Sequence, residues 1–324
     1  RTLFSPLSPS LPTEAASPGV EEGPSPLQIY PGYEPADVDV LHRHATVPAS
    51  LQGDHHIDGF GVKTLYKCVP FATPDSLNLA RLQYPIPDDG FHAEGIEYVA
   101  LLDAIERFAN DGTFVAVEAG AGWGPWLAMA GVVCRSRGVK DTHLIGIEAS
   151  PARFALMCRH LAFNQLDQHH GVTVELFEGA VWSHDGVIYF PNSAVEDMGA
   201  AASTDGSDMD YRGQQMAMRE VPCTRLPSQV GEGRQVDYLH IDVQGAEGEV
   251  VTSHIDWLNQ RVHSMMIATH SRPLEGELMT LLNANGWMLH REKPCHFEAG
   301  RAIDDWCGAT TVDGSQYWIN GKFT

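Results

Sequence analysis

From residue 91 onward the apolar positions recur in one order: a helical stripe, then short apolar runs that each close on an acid or a glycine turn and lead into a helix start. Between Phe91 and Asn110 the residues Ile96, Val99, Ala100, Leu102, Ala104, Ile105 and Phe108 lie at helical spacing. This predicts a helix with one buried face that precedes the first strand and covers the mouth of a site. Buried strands are predicted at Phe114 to Glu118, His143 to Glu148, Val172 to Phe177, Val236 to Val243 and Ser264 to Thr269, each too uniformly apolar to have a solvent face. Pro125 and Pro151 stand where a first helical turn favours proline. Further helices are expected up to about Leu258 and from Leu274 to Asn285, the latter stopped by Gly286. Trp287 to Arg291 and Gln316 to Ile319 read as a closing strand pair with an antiparallel edge. Alternation of strand and helix at this spacing implies a Rossmann-like α/β fold, a mostly parallel sheet with helices on both faces.

The ends of the pattern differ. The first 35 residues hold eight prolines among Ser, Gly and Glu, a composition that builds no core and reads as an extended tail. Residues 36 to 90 contain Val38, Val40, Leu41, Val62, Leu65, Tyr66, Val69 and Phe71, enough to pack as a cap on the domain formed by residues 91 to 324. Between the third and fourth strands, Val187 to Leu226 is an insertion with a small, polar run at 200 to 208, which reads equally as a surface loop or a substrate lid.

Chemistry concentrates at the carboxyl ends of the strands. The first strand runs into Glu118, Gly120, Ala121, Gly122, Trp123 and Gly124, an E-x-G-x-G-x-G turn. A dinucleotide site wants G-x-G-x-x-G with its third glycine inside the helix, where Trp126 and Leu127 stand here, and no P-loop lysine follows. An acid before the first glycine suits a ligand that carries an ammonium group, as S-adenosylmethionine (SAM) does. Glu148, followed by Ala149, ends the second strand where a carboxylate can accept both hydroxyls of a ribose. After the third strand, the small pair Gly179 and Ala180 leaves room for an adenine ring to lie flat, and Asp242 at the tip of the fourth can reach the same pocket.

Four blocks together, Glu118-Ala-Gly-Ala-Gly-Trp-Gly-Pro-Trp126, Gly146-Ile-Glu-Ala149, His240-Ile-Asp-Val-Gln-Gly-Ala-Glu247 and Ala268-Thr-His-Ser271, resemble the FkbM-type SAM-dependent methyltransferases. The resemblance covers roughly residues 90 to 324. It implies a class I methyltransferase fold with a seven-stranded sheet, and O-methylation of a hydroxyl on a sugar or natural product such as a polyketide. Methylation of an amide nitrogen in a peptide is the alternative that it also allows, and a SAM-binding fold without turnover is a third.

Charge and cysteines narrow the partners. With 21 Lys and Arg against 42 Asp and Glu, the formal charge is −21, which repels phosphate backbones and speaks against a nucleic-acid substrate. Six scattered cysteines without a C-x-x-C read as reduced thiols in a cytoplasmic protein. No apolar stretch approaches the ~20 residues of a membrane helix and no signal peptide is visible. The expected partner is a small-molecule or glycosylated acceptor, with a homo-oligomer left open. His240-Ile-Asp242 and His56-Ile-Asp58 each match half of a two-His-one-carboxylate iron site. That chemistry needs a double-stranded β-helix rather than alternating strands and helices, so His240 reads as a satisfied core histidine. To methylate a hydroxyl the site needs a base that titrates near neutrality. His270, at the tip of the fifth strand, is the first candidate and His92 the second. Asp242 would orient His270, or with it hold a weakly bound Mg²⁺ that acidifies a diol.

Overall fold

The computed structural model describes residues 30–69, 84–87, 94–192, 199–204, 206, 215–300, 303 and 306–324. His92 and Phe71 lie outside the described residues, as does nearly all of the proline-rich tail. Helix α1 (Pro35–His44) opens on a reciprocal cap between Glu34 and Asp37. It is followed by a small antiparallel sheet of β1 (Ser50–Leu51), β2 (His55–Ile57) and β3 (Lys63–Leu65). Next come α2 (Gly95–Phe108), β4 (Thr113–Ala119), α3 (Pro125–Ser136), β5 (Asp141–Glu148), α4 (Pro151–Phe163) and β6 (Val172–Glu178). Between β6 and the next strand of the main sheet come β7 (Ala180–Val181), β8 (Gly186–Pro191) and β9 (Met218–Thr224), the last two formed largely by the insertion, then α5 (Leu226–Val230). The remainder is β10 (Tyr238–Ile241), α6 (Glu247–Arg261), β11 (Ser264–Thr269), α7 (Arg272–Ala284), β12 (Trp287–Lys293), β13 (His296–Phe297), α8 (Trp306–Ala309), β14 (Thr310–Val312) and β15 (Gly314–Asn320).

The main sheet has seven strands in the order β12-β15-β11-β10-β4-β5-β6. β10 pairs in parallel with both β4 and β11, so the chain winds outward in both directions from the β4/β10 junction. This is a doubly wound class I methyltransferase sheet, and its reversal point is where such sheets open a crevice for ligands. Strand alternation divides two cores. Phe114, Ala116, Tyr238 and Met266 enter the core on one face, while Val117, Leu239, Ile241, Met265 and Ile267 enter the other. The closing pair is antiparallel as expected, with β15 inserted between β11 and the edge strand β12.

The segment before α2 is part of the main core rather than a separate layer. Leu41, Phe60 and Val62 belong to the same buried cluster as Leu101 of α2 and Ala128 of α3. The insertion joins β7 in a separate sheet, β7-β9-β8, over a small core of Ile188, Phe190, Ala200 and Val221 that also takes in Ala149 at the end of β5. Arg219 donates to the Ala149 carbonyl at 2.7 Å, which fastens this sheet to the tip of β5. Among the described residues, no helix is long and apolar enough to cross a membrane.

Candidate functional site

A cleft of about 270 Å³ opens at the β4/β10 junction and receives residues from every strand tip named in the sequence. Gly120, Ala121, Gly122, Trp123, Glu148, Ala149, Gly179, Ala180, Asp242 and His270 all line it, with Glu118 at its floor. Gly124 stands just behind, as the left-handed N-cap of α3. The glycines do different work. A Cβ on Gly120 would lie 1.7 Å from the Asp242 carbonyl oxygen, so the close approach of the β4 and β10 tips requires glycine there. A Cβ on Gly122, whose φ is +56°, would meet nothing within 4 Å and would fill ligand space instead.

Glu118 is buried, and one of its oxygens accepts the Leu127 N–H of α3 at 3.0 Å. Burial pushes its pKa up to about 8, although His240 nearby pulls the other way. Glu148 accepts N–H donors from Ser150 at 2.6 Å and from Gly122 at 2.7 Å, and so fixes both its own rotamer and the glycine turn. Burial raises its pKa as well. Arg153 supplies a buried cation to the same wall.

At the far end, His270 stands between two carboxylates. Its Nδ1 is 3.1 Å from Glu247 Oε1 and its Nε2 is 3.5 Å from Asp242 Oδ1. Burial alone would lower its pKa, but Glu247 and Asp242 raise it to about 10. Two carboxylates thus flank a ring that the sequence placed beside one, and they favour its charged form. Glu247 is fully buried at the start of α6; it takes N–H donors from Val243 at 2.9 Å and Gly245 at 3.0 Å, and His270 holds its pKa down against burial. Those bonds clamp the left-handed Gln244-Gly245 turn that presents Asp242. Asp242 is half-buried at the cleft and accepts from Gln244 Nε2 at 2.7 Å. Among the described residues, Asp242, Glu247 and His270 could each offer one atom to a cation, and Glu247 also accepts backbone donors.

Sequence reasoning missed a second histidine. His240 is not simply a satisfied core residue: its ring lines the cleft, with Nε2 3.0 Å from Glu97 Oε1. Glu97, with Glu94, comes from the first turn of α2, where the E-x-x-E spacing of a reciprocal cap was the available signal. Trp182, together with Phe190, Ala200 and Ala202 of the insertion, completes the wall, so the insertion is a side of the site and not a detached surface loop.

The profile of the methyltransferase FkbM domain matches residues 108–290. The chain belongs to the FkbM methyltransferase family. A protein of Jannaschia sp. (strain CCS1), named provisionally as a methyltransferase, is 31% identical over 224 residues, which span 67% of this chain and 77% of that one. Among solved structures, the precorrin-6y C5,15-methyltransferase of Geobacter metallireducens GS-15 overlaps with a TM-score of 0.40 at 12% identity, covering 77% of this chain and 93% of that one. The C-terminal domain of the corresponding Rhodobacter capsulatus enzyme gives 0.37 at 12% identity, over 71% and 91%. The FkbM domain therefore spans β4 to the start of β12, and its methyltransferase fold implies SAM as methyl donor. The residues fit that donor: an open cradle at Gly122, an acid at the second strand tip, and a net acidic lining for a ligand with sulfonium and ammonium charges.

Proposed function

We propose that this FkbM methyltransferase transfers the methyl of SAM to a hydroxyl oxygen on a small-molecule or glycosylated acceptor. The observation that carries the reading is one continuous cleft, with the Gly122, Glu148 and Gly179-Ala180 features at one end and the polar pair Asp242 and His270 at the other. When bound, SAM supplies an electrophilic methyl already activated by its sulfonium. The protein's own residues then have to orient and desolvate. Glu148 accepts the ribose hydroxyls; Gly179 and Ala180 leave a flat slot for the adenine; Phe190, Ala200 and Ala202 of the insertion exclude water from one side. Asp242 offers a carboxylate to orient the acceptor hydroxyl, and His270, anchored on Glu247, keeps that carboxylate in place. This reading does not call for the weakly held Mg²⁺ at Asp242 and His270.

The test has two stages. Thermal shift with SAM, its demethylated product and NAD should give stabilisation by the first two only; stabilisation by NAD alone would end the reading. Transfer from methyl-labelled SAM is then compared between glycosylated hydroxyl acceptors and Asn- and Gln-rich peptides. Labelling confined to the peptides would replace O-methylation by amide N-methylation.

A further inference from the structure

Of the two histidines that line the cleft, His270 has a carboxylate oxygen within 3.1 Å of Nδ1 and within 3.5 Å of Nε2, although its Nδ1 makes no well-aligned hydrogen bond. The Nε2 of His240 is 3.0 Å from Glu97, while its Nδ1, buried with the rest of a ring only 2% exposed, has no hydrogen-bond partner among the described residues. A buried ring nitrogen left unpaired is destabilising, and this one borders a cleft that can hold a ligand. An ionised carboxylate only accepts, so Glu97 fixes the proton on Nε2 and leaves the Nδ1 lone pair bare. A buried carboxylate orienting one imidazole nitrogen so that the other can act is the working part of a general-base dyad.

We propose that His240 is the catalytic base of this enzyme, with Glu97 as its positioning residue. This rests on the hydroxyl-methylation reading above. The acceptor oxygen forms its bond to the methyl carbon as the carbon–sulfur bond breaks, and that electron pair leaves with the sulfur of the demethylated product. The hydroxyl proton passes to His240 Nδ1, giving an imidazolium that Glu97 stabilises, and is released to solvent before the next turnover. The titratable groups facing the ring are Glu97 from α2, Glu118 from β4 and Asp242 beyond β10; burial opposes the imidazolium, but these acids outweigh it and raise the His240 pKa above its ordinary 6.5. Trp126 of α3 packs against the His240 ring, with the ring centroids 5.6 Å apart.

Two measurements test this. In histidine-¹⁵N-labelled protein without acceptor, at about pH 9 where a histidine is neutral, long-range ¹H–¹⁵N spectra should show His240 protonated on Nε2 and bare on Nδ1, and Glu97→Gln should lose that fixed tautomer. A proton on Nδ1 in the wild type would overturn the proposal without touching the methyl-transfer reading. In the second, His240→Asn should bind SAM within about threefold of wild type and lose about 10²–10⁴ in turnover. Its residual rate should no longer rise with pH. Retained turnover with an unchanged pH profile would also overturn the proposal. Failure of every hydroxyl acceptor in the wild type, with the tautomer in place, would count against the acceptor class and not the dyad.

Discussion

At the scale of single residues, neighbouring positions in the glycine turn carry opposite liabilities. Gly120→Ala drives a Cβ into the Asp242 carbonyl, so it should abolish soluble folded protein, read by expression and circular dichroism. Gly122→Ala meets no protein atom and costs only about 1–2 kcal/mol for its left-handed backbone. It should fold and yet lose SAM affinity by calorimetry, and undiminished binding would remove the ligand from that cradle. Glu148→Ala removes a charged acceptor from the ribose and also frees the Gly122 and Ser150 donors. A loss on the order of 2–4 kcal/mol, roughly 30- to 1000-fold in SAM affinity, is expected. Glu118 adds a pH dependence. Its folded pKa is about 8, so below that pH it is protonated in the free protein, and a cationic ligand must displace the proton. SAM affinity should therefore fall as pH drops below about 8, by up to about tenfold per unit, and level off above it. Calorimetry in buffers of differing ionisation enthalpy would detect the released proton; a flat profile from pH 6 to 9 would contradict it.

Among elements, the joint that matters for the site is made by His160 of α4. Its Nδ1 lies 3.1 Å from the Trp123 carbonyl in the glycine turn and its Nε2 is 3.3 Å from Thr64 Oγ1 of β3. One buried imidazole thus ties the N-terminal sheet to the SAM cradle. Burial lowers its pKa from 6.5 to about 4. A base whose folded pKa is depressed contributes stability that is fully present above pH 6.5 and is lost as pH falls through 4. The difference of 2.5 units corresponds to about 3 kcal/mol. Urea unfolding should show this loss between pH 6.5 and 4 in the wild type and a smaller loss in His160→Gln; equal acid sensitivity would assign it to other groups. Helix starts at Pro125 and Pro151 and the strand at Ser264–Thr269 were legible because each depends on local chemistry. The place of β15 between β11 and β12 was not, because which strand neighbours which is decided by packing after the elements form.

On the scale of the whole molecule, residues 30 to 69 are tied into the fold by more than contact area. Arg291 of β12 donates to Asp37 at 2.8 Å, Tyr30 donates to the other oxygen of the same carboxylate, and Leu41 and Phe60 are fully buried in the main core. Burial of each such side chain is worth about 1.5–3 kcal/mol. A chain beginning at Glu94 should therefore be aggregation-prone and unfold at lower temperature. If it stayed soluble with unchanged SAM binding, the segment would be a detachable cap and not part of the core.

What the sequence determined by itself was the alternation of strands and helices, the class of sheet, and the set of strand-tip residues that face one ligand. Those follow from periodicity and from chemistry needed at fixed points of a known connection rule, so Glu118, Glu148, Asp242 and His270 could be named before any coordinates. Tertiary structure alone decided their charge states and partners. His270 is pushed toward its charged form because Glu247 and Asp242, from two other elements, close on it; among the described residues His240 Nδ1 has no partner while Glu97, 143 residues earlier, takes Nε2. A side chain's pKa and its spare hydrogen-bonding capacity depend on distances between elements that are remote in sequence, and no local pattern encodes those distances.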